Sequence, residues 1–163
     1  MKTLVAIDGS ECSMRALDYV ANRPWKNEDQ FMVISVVEPI PADLGVGIVP
    51  PPAGSIEDKM YDECAEISGN GGRKLQEALP LNPILVSVEA GLVAETICDT
   101  AARWEADLIV LGSHGRKGIA HLLLGSVAEE VLKKSPCSVE VIKAKAGDAN
   151  ADEHEEVEFM HTN

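Results

Sequence analysis

The sequence has few aromatic residues, which make up 4% of its 163 positions although 45% of the positions are hydrophobic. A core must therefore be built from Val, Ile, Leu and Ala, which is typical of a parallel sheet with helices on both faces. No apolar run approaches the roughly 18 residues of a membrane span. The opening MKTLVAIDGS is too short in apolar residues for a signal peptide. We therefore expect a single cytosolic domain.

Basic residues are also scarce, with 14 Lys and Arg against 27 Asp and Glu, and the formal net charge is −13. Nucleic-acid binding needs a basic face, so this function is not expected. The four cysteines do not have the spacing of a zinc site or a redox pair, and we interpret them as small buried apolar residues. They are Cys12, Cys64, Cys98 and Cys137.

Acidic residues are concentrated at the carboxyl end of the chain. The last 17 residues hold six acids and neither Lys nor Arg. This composition is typical of a solvated, disordered tail. We therefore predict one folded domain over residues 1–145 and an acidic tail over residues 146–163.

Short apolar runs alternate with longer segments of helical period. One such segment places Leu124, Val127, Ala128, Val131 and Leu132 on a single helical face. Five strands alternating with four helices predict right-handed crossovers and an α/β fold with a doubly wound, Rossmann-like parallel sheet. The five runs are Thr3 to Ile7, Phe31 to Val37, Ile84 to Val88, Asp107 to Leu111 and Ser138 to Ile142.

Two segments fit this pattern less well. The stretch from Glu38 to Ser55 contains five prolines and three glycines, so we expect a long loop that either closes over a neighbouring site or obstructs it. The following helix is interrupted by Gly69, Gly71 and Gly72, each of which costs about 1 kcal/mol relative to Ala. We expect a kink or a break there.

The loops after the first and fourth strands hold the candidate site residues. Asp8 follows the first strand, and the sequence from Gly112 to Gly115 follows the fourth. If these two strands are neighbours at the centre of a doubly wound sheet, their loops form one binding crevice at its carboxyl edge. Glycines let the backbone approach a phosphate, Gly125-Ser126 opens a helix whose N-terminus favours an anion, and Arg116 and Lys117 add positive charge. The alternative is that Ser126 and Glu129 form a capping box, and the residues alone leave both readings open.

The glycine spacing resembles that of the universal stress protein family. The nucleotide-binding subgroup carries Gly, two residues, Gly, nine residues, then Gly and Ser or Thr, which is found here at Gly112, Gly115, Gly125 and Ser126. The blocks LVAIDGSE, ADLIVLGSHGRKG and LLLGSVAEEVLKKSPCSVEVI are similar too, and the resemblance covers residues 1–143. It implies a sheet with strand order 3-2-1-4-5 and ATP as the ligand.

The resemblance also implies which residues bind the nucleotide. Ala6, Ile7 and Asp8 would line the adenine and ribose end, and Val36 would cover the base. The ribose and phosphates would be held by the glycine loop and the start of the following helix. Asp8 would contact magnesium only through the phosphates. The residues in that loop and helix are Gly112, Ser113, Gly115, Arg116, Gly125, Ser126 and Val127.

Family members pair through the last strand, so a homodimer through Ser138 to Ile142 is implied. Glu140 departs from the apolar pattern of that strand. Alternation predicts that it faces solvent, although a charge on an edge strand also discourages pairing.

The expected function is that of an ATP-binding sensor in the stress response, with an unknown protein partner and slow or absent hydrolysis. The chain has no P-loop ending in GK[ST] and no HxGH pair, and His114 and His121 are interpreted as loop residues. A receiver domain would need an acidic pair after the first strand and a phosphorylatable Asp after the third, and the third strand here ends in Glu89-Ala90-Gly91. The alternatives are a slow ATPase and a nucleotide-independent interaction module.

Overall fold

The computed structural model describes residues 1–38, 56–115 and 124–143. The strands are β1 (Lys2–Ala6), β2 (Gln30–Val37), β3 (Ile84–Ala90), β4 (Leu108–Gly112) and β5 (Ser138–Ile142). The helices are α1 (Glu11–Ala21), α2 (Ile56–Ala78), α3 (Val93–Trp104) and α4 (Ser126–Lys134). Nearly all of the proline-rich segment, Arg116, Lys117, His121 and the acidic tail lie outside the described residues. Across the described ranges, no helix has the length and apolar character to span a bilayer.

All five strands are parallel and lie in the order β3-β2-β1-β4-β5. The predicted fold class and strand order are therefore confirmed. The central strand β1 pairs with β2 on one side and with β4 on the other, so that Thr3 lies between Phe31 and Leu108. The chain order reverses at β1, and the topological switch point of the sheet therefore lies between β1 and β4.

The side chains of β1 alternate between two apolar layers. Leu4 and Ala6 pack in a cluster with residues of α3 and α4, whereas Val5 and Ile7 pack in a second cluster with residues of α1 and α2. This alternation follows from the pleat, which directs successive side chains to opposite faces. Both faces of the central strands are thus buried, which explains their continuous apolar sequence.

Three of the four cysteines are buried as predicted, and Cys137 is half-buried. All four are free thiols. Burial is the main cause that raises the pKa of the Cys98 thiol. The thiol is therefore neutral and packs as an apolar group in the core.

The break expected at the glycines of α2 does not occur. The helix continues without interruption from Ile56 to Ala78. Gly71 and Gly72 are buried against the sheet, where the absence of a side chain lets the helix approach closely. The packing gained along this face outweighs the low helix propensity of glycine.

Two further predictions need correction. Leu132 is on the exposed side of α4, with 48% of its surface accessible, so the buried stripe of α4 is narrower than its sequence pattern indicates. Glu140 does not simply face solvent. Arg23 Nη1 donates to both of its carboxylate oxygens at 2.9 Å, and this bond is the largest cause that raises the pKa of Arg23.

Candidate functional site

The loops that follow β1 and β4 meet at the switch point of the sheet. Asp8 lies on the first loop and Gly115 on the second. A Cβ built on Gly115 would lie 2.8 Å from Asp8 Oδ2, so the two loops are in direct contact. The structure therefore brings the predicted acid and the predicted glycine loop together in one crevice.

Asp8 is held by the turn that connects β1 to α1. Its Oδ1 accepts bonds from the Ser10 amide at 3.0 Å and from Ser10 Oγ at 2.6 Å. The Asp8 amide donates to Ser13 Oγ at 3.2 Å. Gly9 has a φ of 83°, in the left-handed region that glycine adopts without strain. The carboxylate is thus fixed in place before any ligand arrives.

Ser10 and Ser13 are site residues that the sequence interpretation missed. Ser10 is the N-cap of α1 and accepts from the Ser13 amide, and its hydroxyl also lies 3.3 Å from the carbonyl of His114. It therefore links the two loops of the crevice. The signal was available, because an Asp-Gly-Ser turn directly before a helical stripe predicts an Asx turn and an N-cap.

Gly112 packs against α1 at the base of the crevice. A Cβ there would lie 2.6 Å from the carbonyl carbon of Cys12 and 2.7 Å from the Ser13 nitrogen. These are backbone atoms that cannot turn aside. Glycine is therefore required at this position by the packing of β4 against α1, whatever ligand the crevice binds.

Ser113 connects the crevice to neighbouring elements. Its amide donates to the Ile142 carbonyl at 2.8 Å, and its carbonyl accepts from the Gly125 amide at 2.7 Å. Its side chain is 1% exposed, and Oγ lies 3.1 Å from His114 Nδ1. Ser113 thus ties the edge strand β5 and the start of α4 to the glycine loop.

The capping box predicted at the start of α4 is not formed. Gly125 is the N-cap, Ser126 is the first helical residue, and no side chain in the described part of the protein caps the helix. Glu129 instead accepts from Lys133 Nζ at 2.6 Å, and this bond lowers the pKa of its carboxyl. Within the described residues, the amides at this end of α4, including those of Ser126 and Val127, therefore meet no side-chain acceptor, a geometry that favours an anion.

The residues predicted to line the adenine end of the site differ in which of their atoms can contact a ligand. Ala6 and Ile7 are 8% and 4% exposed, so their side chains belong to the core and only their main chain can face a ligand. The Ile7 carbonyl already accepts from Ser35 Oγ at 2.8 Å. Val36 is half-buried near the end of β2, on the opposite side of β1 from the glycine loop.

No group of three or more His, Cys, Asp and Glu side chains that could hold a metal ion occurs within the described ranges. A separate open depression of about 350 Å³ lies at the amino ends of the strands, where Met1, Trp25 and Asp29 are among its lining residues. It contains none of the predicted site residues. The Asp29 carboxylate is already bonded there to the Met1 ammonium and the Lys26 amide, and these bonds lower its pKa.

The strand order and the crevice at the switch point define the chain as a doubly wound α/β protein. It matches the universal stress protein family over residues 1–143, and it therefore belongs to that family. The universal stress protein MJ0531 of Methanocaldococcus jannaschii is 32% identical over 144 residues, which cover 87% of this chain and 81% of that protein. The solved structure of the protein MJ0577 is 26% identical, with a TM-score of 0.68 over 88% of this chain and 96% of that one.

Two further solved structures share the fold and contain adenine nucleotides. A universal stress protein in complex with cAMP is 24% identical, with a TM-score of 0.59 over 87% of this chain and 96% of that one. A universal stress protein family protein from Arabidopsis thaliana with AMP bound is 17% identical, with a TM-score of 0.60 over 93% of this chain and 97% of that one.

Proposed function

We propose that this protein binds ATP in the crevice between β1 and β4 and acts as a nucleotide-dependent sensor in the stress response of the cytosol. The observation that carries the proposal is the contact between the Asp8 carboxylate and the glycine loop, beside a helix N-terminus that no described side chain caps. This combination offers a polar contact at one wall and backbone amides for an anion at the other.

The residues of the crevice fit a nucleotide in distinct ways. Gly115 has no side chain to displace the Asp8 carboxylate that lies against it. The amides of Ser126 and Val127 belong to the first turn of α4, which no described side chain caps. Arg116 belongs to the proposed set on its charge alone. Asp8 is the carboxylate available to a magnesium ion carried by the phosphates, which supplies charge neutralisation when it is bound. The nucleotides bound by the cAMP and AMP complexes support the adenine class of ligand.

The sensing step would use the bonds that leave the crevice through Ser113. Because Ser113 is bonded to both β5 and the start of α4, a ligand that shifts the glycine loop also acts on the edge strand. We propose that this strand, Ser138–Ile142, pairs with its counterpart in a second copy. Glu140 is neutralised by Arg23 within the same chain, which reduces the cost of placing a carboxylate on that edge.

Isothermal titration calorimetry of nucleotide-free protein tests the proposal. We expect ATP to bind at millimolar concentration or below, and the variant Asp8→Ala to bind more weakly. Gly69→Ala is the control, because a Cβ at this position meets, among the described residues, only the end of Arg73 at 4.0 Å. Absence of ATP binding by the wild type contradicts the proposal.

Two other outcomes would support an alternative function instead. Steady phosphate release from ATP that Asp8→Ala abolishes, with binding retained, would show a slow ATPase. A Gly125→Val variant that keeps its partner binding unchanged would show a nucleotide-independent interaction module.

A further inference from the structure

Gly71 lies where α2 crosses the end of the central strand. A Cβ at this position would be 2.6 Å from Ile7 Cδ1, 3.2 Å from Val33 Cγ1 and 3.5 Å from Leu17 Cδ2. Carbon atoms in contact normally stay about 3.5–4.0 Å apart. The observed approach of α2 to the sheet therefore depends on the absence of a side chain at residue 71.

Ile7 has little room to move away from such a side chain. It is 4% exposed and packs in the same cluster as Leu17 and Val33. Its amide donates to the Ile34 carbonyl at 2.9 Å, and its carbonyl accepts from Ser35 Oγ at 2.8 Å. The conflict is with Cδ1, the end of the Ile7 side chain, and Leu17 and Val33 also lie close to the added methyl group. In a close-packed interior the methyl group therefore pushes on the Ile7 side chain, and through it on the end of β1.

Displacement of Ile7 reaches the crevice at the next residue. Asp8 follows Ile7 directly, and its carboxylate is positioned by Ser10 against the glycine loop. The sequence pattern did not connect α2 with the crevice, since α2 contributes no side chain to the predicted site.

Gly72 offers a matched comparison one residue further along. A Cβ there would lie 2.4 Å from Val86 Cγ2. Val86 is in the edge strand β3, is 49% exposed and belongs to no part of the crevice. Alanine at either position overpacks the same helix against the same sheet, but only alanine at residue 71 pushes on the strand that leads to Asp8.

We propose that Gly71 is a positioning residue of the nucleotide site, which sets the place of Asp8 through Ile7. The inference rests on the proposed binding of ATP in the crevice. The effect of Gly71 is steric. Residue 71 contacts no ligand, and the absence of a side chain there determines the position of the end of β1.

The test compares ATP and adenosine affinities by calorimetry for Gly71→Ala and Gly72→Ala, both built on Gly69→Ala so that α2 gains helix propensity. We expect Gly71→Ala to weaken ATP binding about tenfold, since overpacking strain of the usual size corresponds to such a factor. Adenosine binding should weaken by the same factor, because the family resemblance assigns Ile7 and Asp8 to the base and ribose end of the site. Gly72→Ala should stay within about twofold of its Gly69→Ala parent.

Rescue separates positioning from general destabilisation. Ile7→Val removes Cδ1, the atom in closest conflict, so Gly71→Ala with Ile7→Val should recover ATP affinity to within about twofold of the parent. Equal affinities for Gly71→Ala and Gly72→Ala, or a double variant that stays about tenfold weak, would overturn the inference while leaving the proposed function intact. If Gly71→Ala fails to fold, the double variant decides alone. A wild type that binds no ATP removes both proposals.

Discussion

Two groups of glycines can be compared, one on the loops of the crevice and one within α2, and the atoms that surround them differ. Gly112, Gly115 and Gly125 lie on the loops of the crevice, whereas Gly69, Gly71 and Gly72 lie within α2. The sequence interpretation assigned the first group to a ligand and the second to a kink. The contacts show that Gly112 is needed for packing, as Gly71 and Gly72 are, and that only Gly115 directly faces the Asp8 carboxylate.

The spacing of glycines along the chain therefore does not show why glycine is needed at each position. The reason depends on which atoms a side chain at that position would meet. Backbone atoms lie there at Gly112, core side chains at Gly71, a carboxylate at Gly115 and only the end of Arg73 at Gly69. Each environment predicts a different result for the same change to alanine.

Gly112→Ala should have the largest effect. Its methyl group would meet backbone atoms of Cys12 and Ser13 at 2.6–2.7 Å, so β4 and α1 would have to separate. We expect the free energy of unfolding to fall by about 3 kcal/mol, as measured by urea denaturation. A loss below about 1 kcal/mol would return Gly112 to the group of ligand-facing glycines.

Gly72→Ala should have an intermediate effect. The conflict with Val86 costs about 1–3 kcal/mol, and the higher helix propensity of alanine offsets about 1 kcal/mol of it. We expect a net loss of about 1 kcal/mol in the free energy of unfolding. The pair Gly72→Ala and Val86→Ala tests the cause, because removal of the Val86 side chain should eliminate the additional cost of alanine at residue 72.

Gly69→Ala should stabilise the protein. Among the described residues, only Arg73 Nη1, at 4.0 Å, lies near the added methyl group. We expect the free energy of unfolding to rise by about 0.5–1 kcal/mol, the usual difference in helix propensity. Thermal denaturation followed by circular dichroism measures it, and a lower midpoint would show that α2 needs a flexible glycine after all.

Gly115→Ala should change stability least, by under about 0.5 kcal/mol, because Gly115 is exposed and its neighbour is the end of the Asp8 side chain. Its effect should appear in ligand binding, with ATP affinity reduced about tenfold as Asp8 is pushed from its place. Calorimetry beside urea denaturation separates the two quantities. A loss of stability without a loss of affinity would place Gly115 among the packing glycines.

Much of the fold was predictable from local pattern. The alternation of short apolar runs with amphipathic segments indicated five strands and four helices, and the observed strand bounds differ from the predicted ones by at most two residues. The pattern failed where neighbours in space decided the outcome. Leu132 fits the helical period of α4 but is exposed. Ser126 and Glu129 have the spacing of a capping box, but Gly125 is the N-cap and Ser126 is already helical.

The candidate site was predictable in its residues more than in their roles. Asp8 and the glycine loop were placed in one crevice because parallel strands end on the same edge of the sheet. Only the structure shows three features of the site. Serine hydrogen bonds hold Asp8, the Ile7 side chain is buried, and the amide and carbonyl of Ser113 are both hydrogen-bonded.

The sequence by itself determined the five strands, the four helices and their parallel arrangement, since these depend on hydrophobic period and on the order of the elements. The strand order that puts the switch point between β1 and β4 was implied by the family resemblance and is observed in the structure. The tertiary structure alone decided which atoms lie beside each glycine, namely backbone at Gly112, core side chains at Gly71 and the Asp8 carboxylate at Gly115. The physical reason is that a glycine acts through the atoms it allows to come close. In this fold those atoms belong to elements that are distant along the chain, as α2 is from Ile7 and α1 is from Gly112.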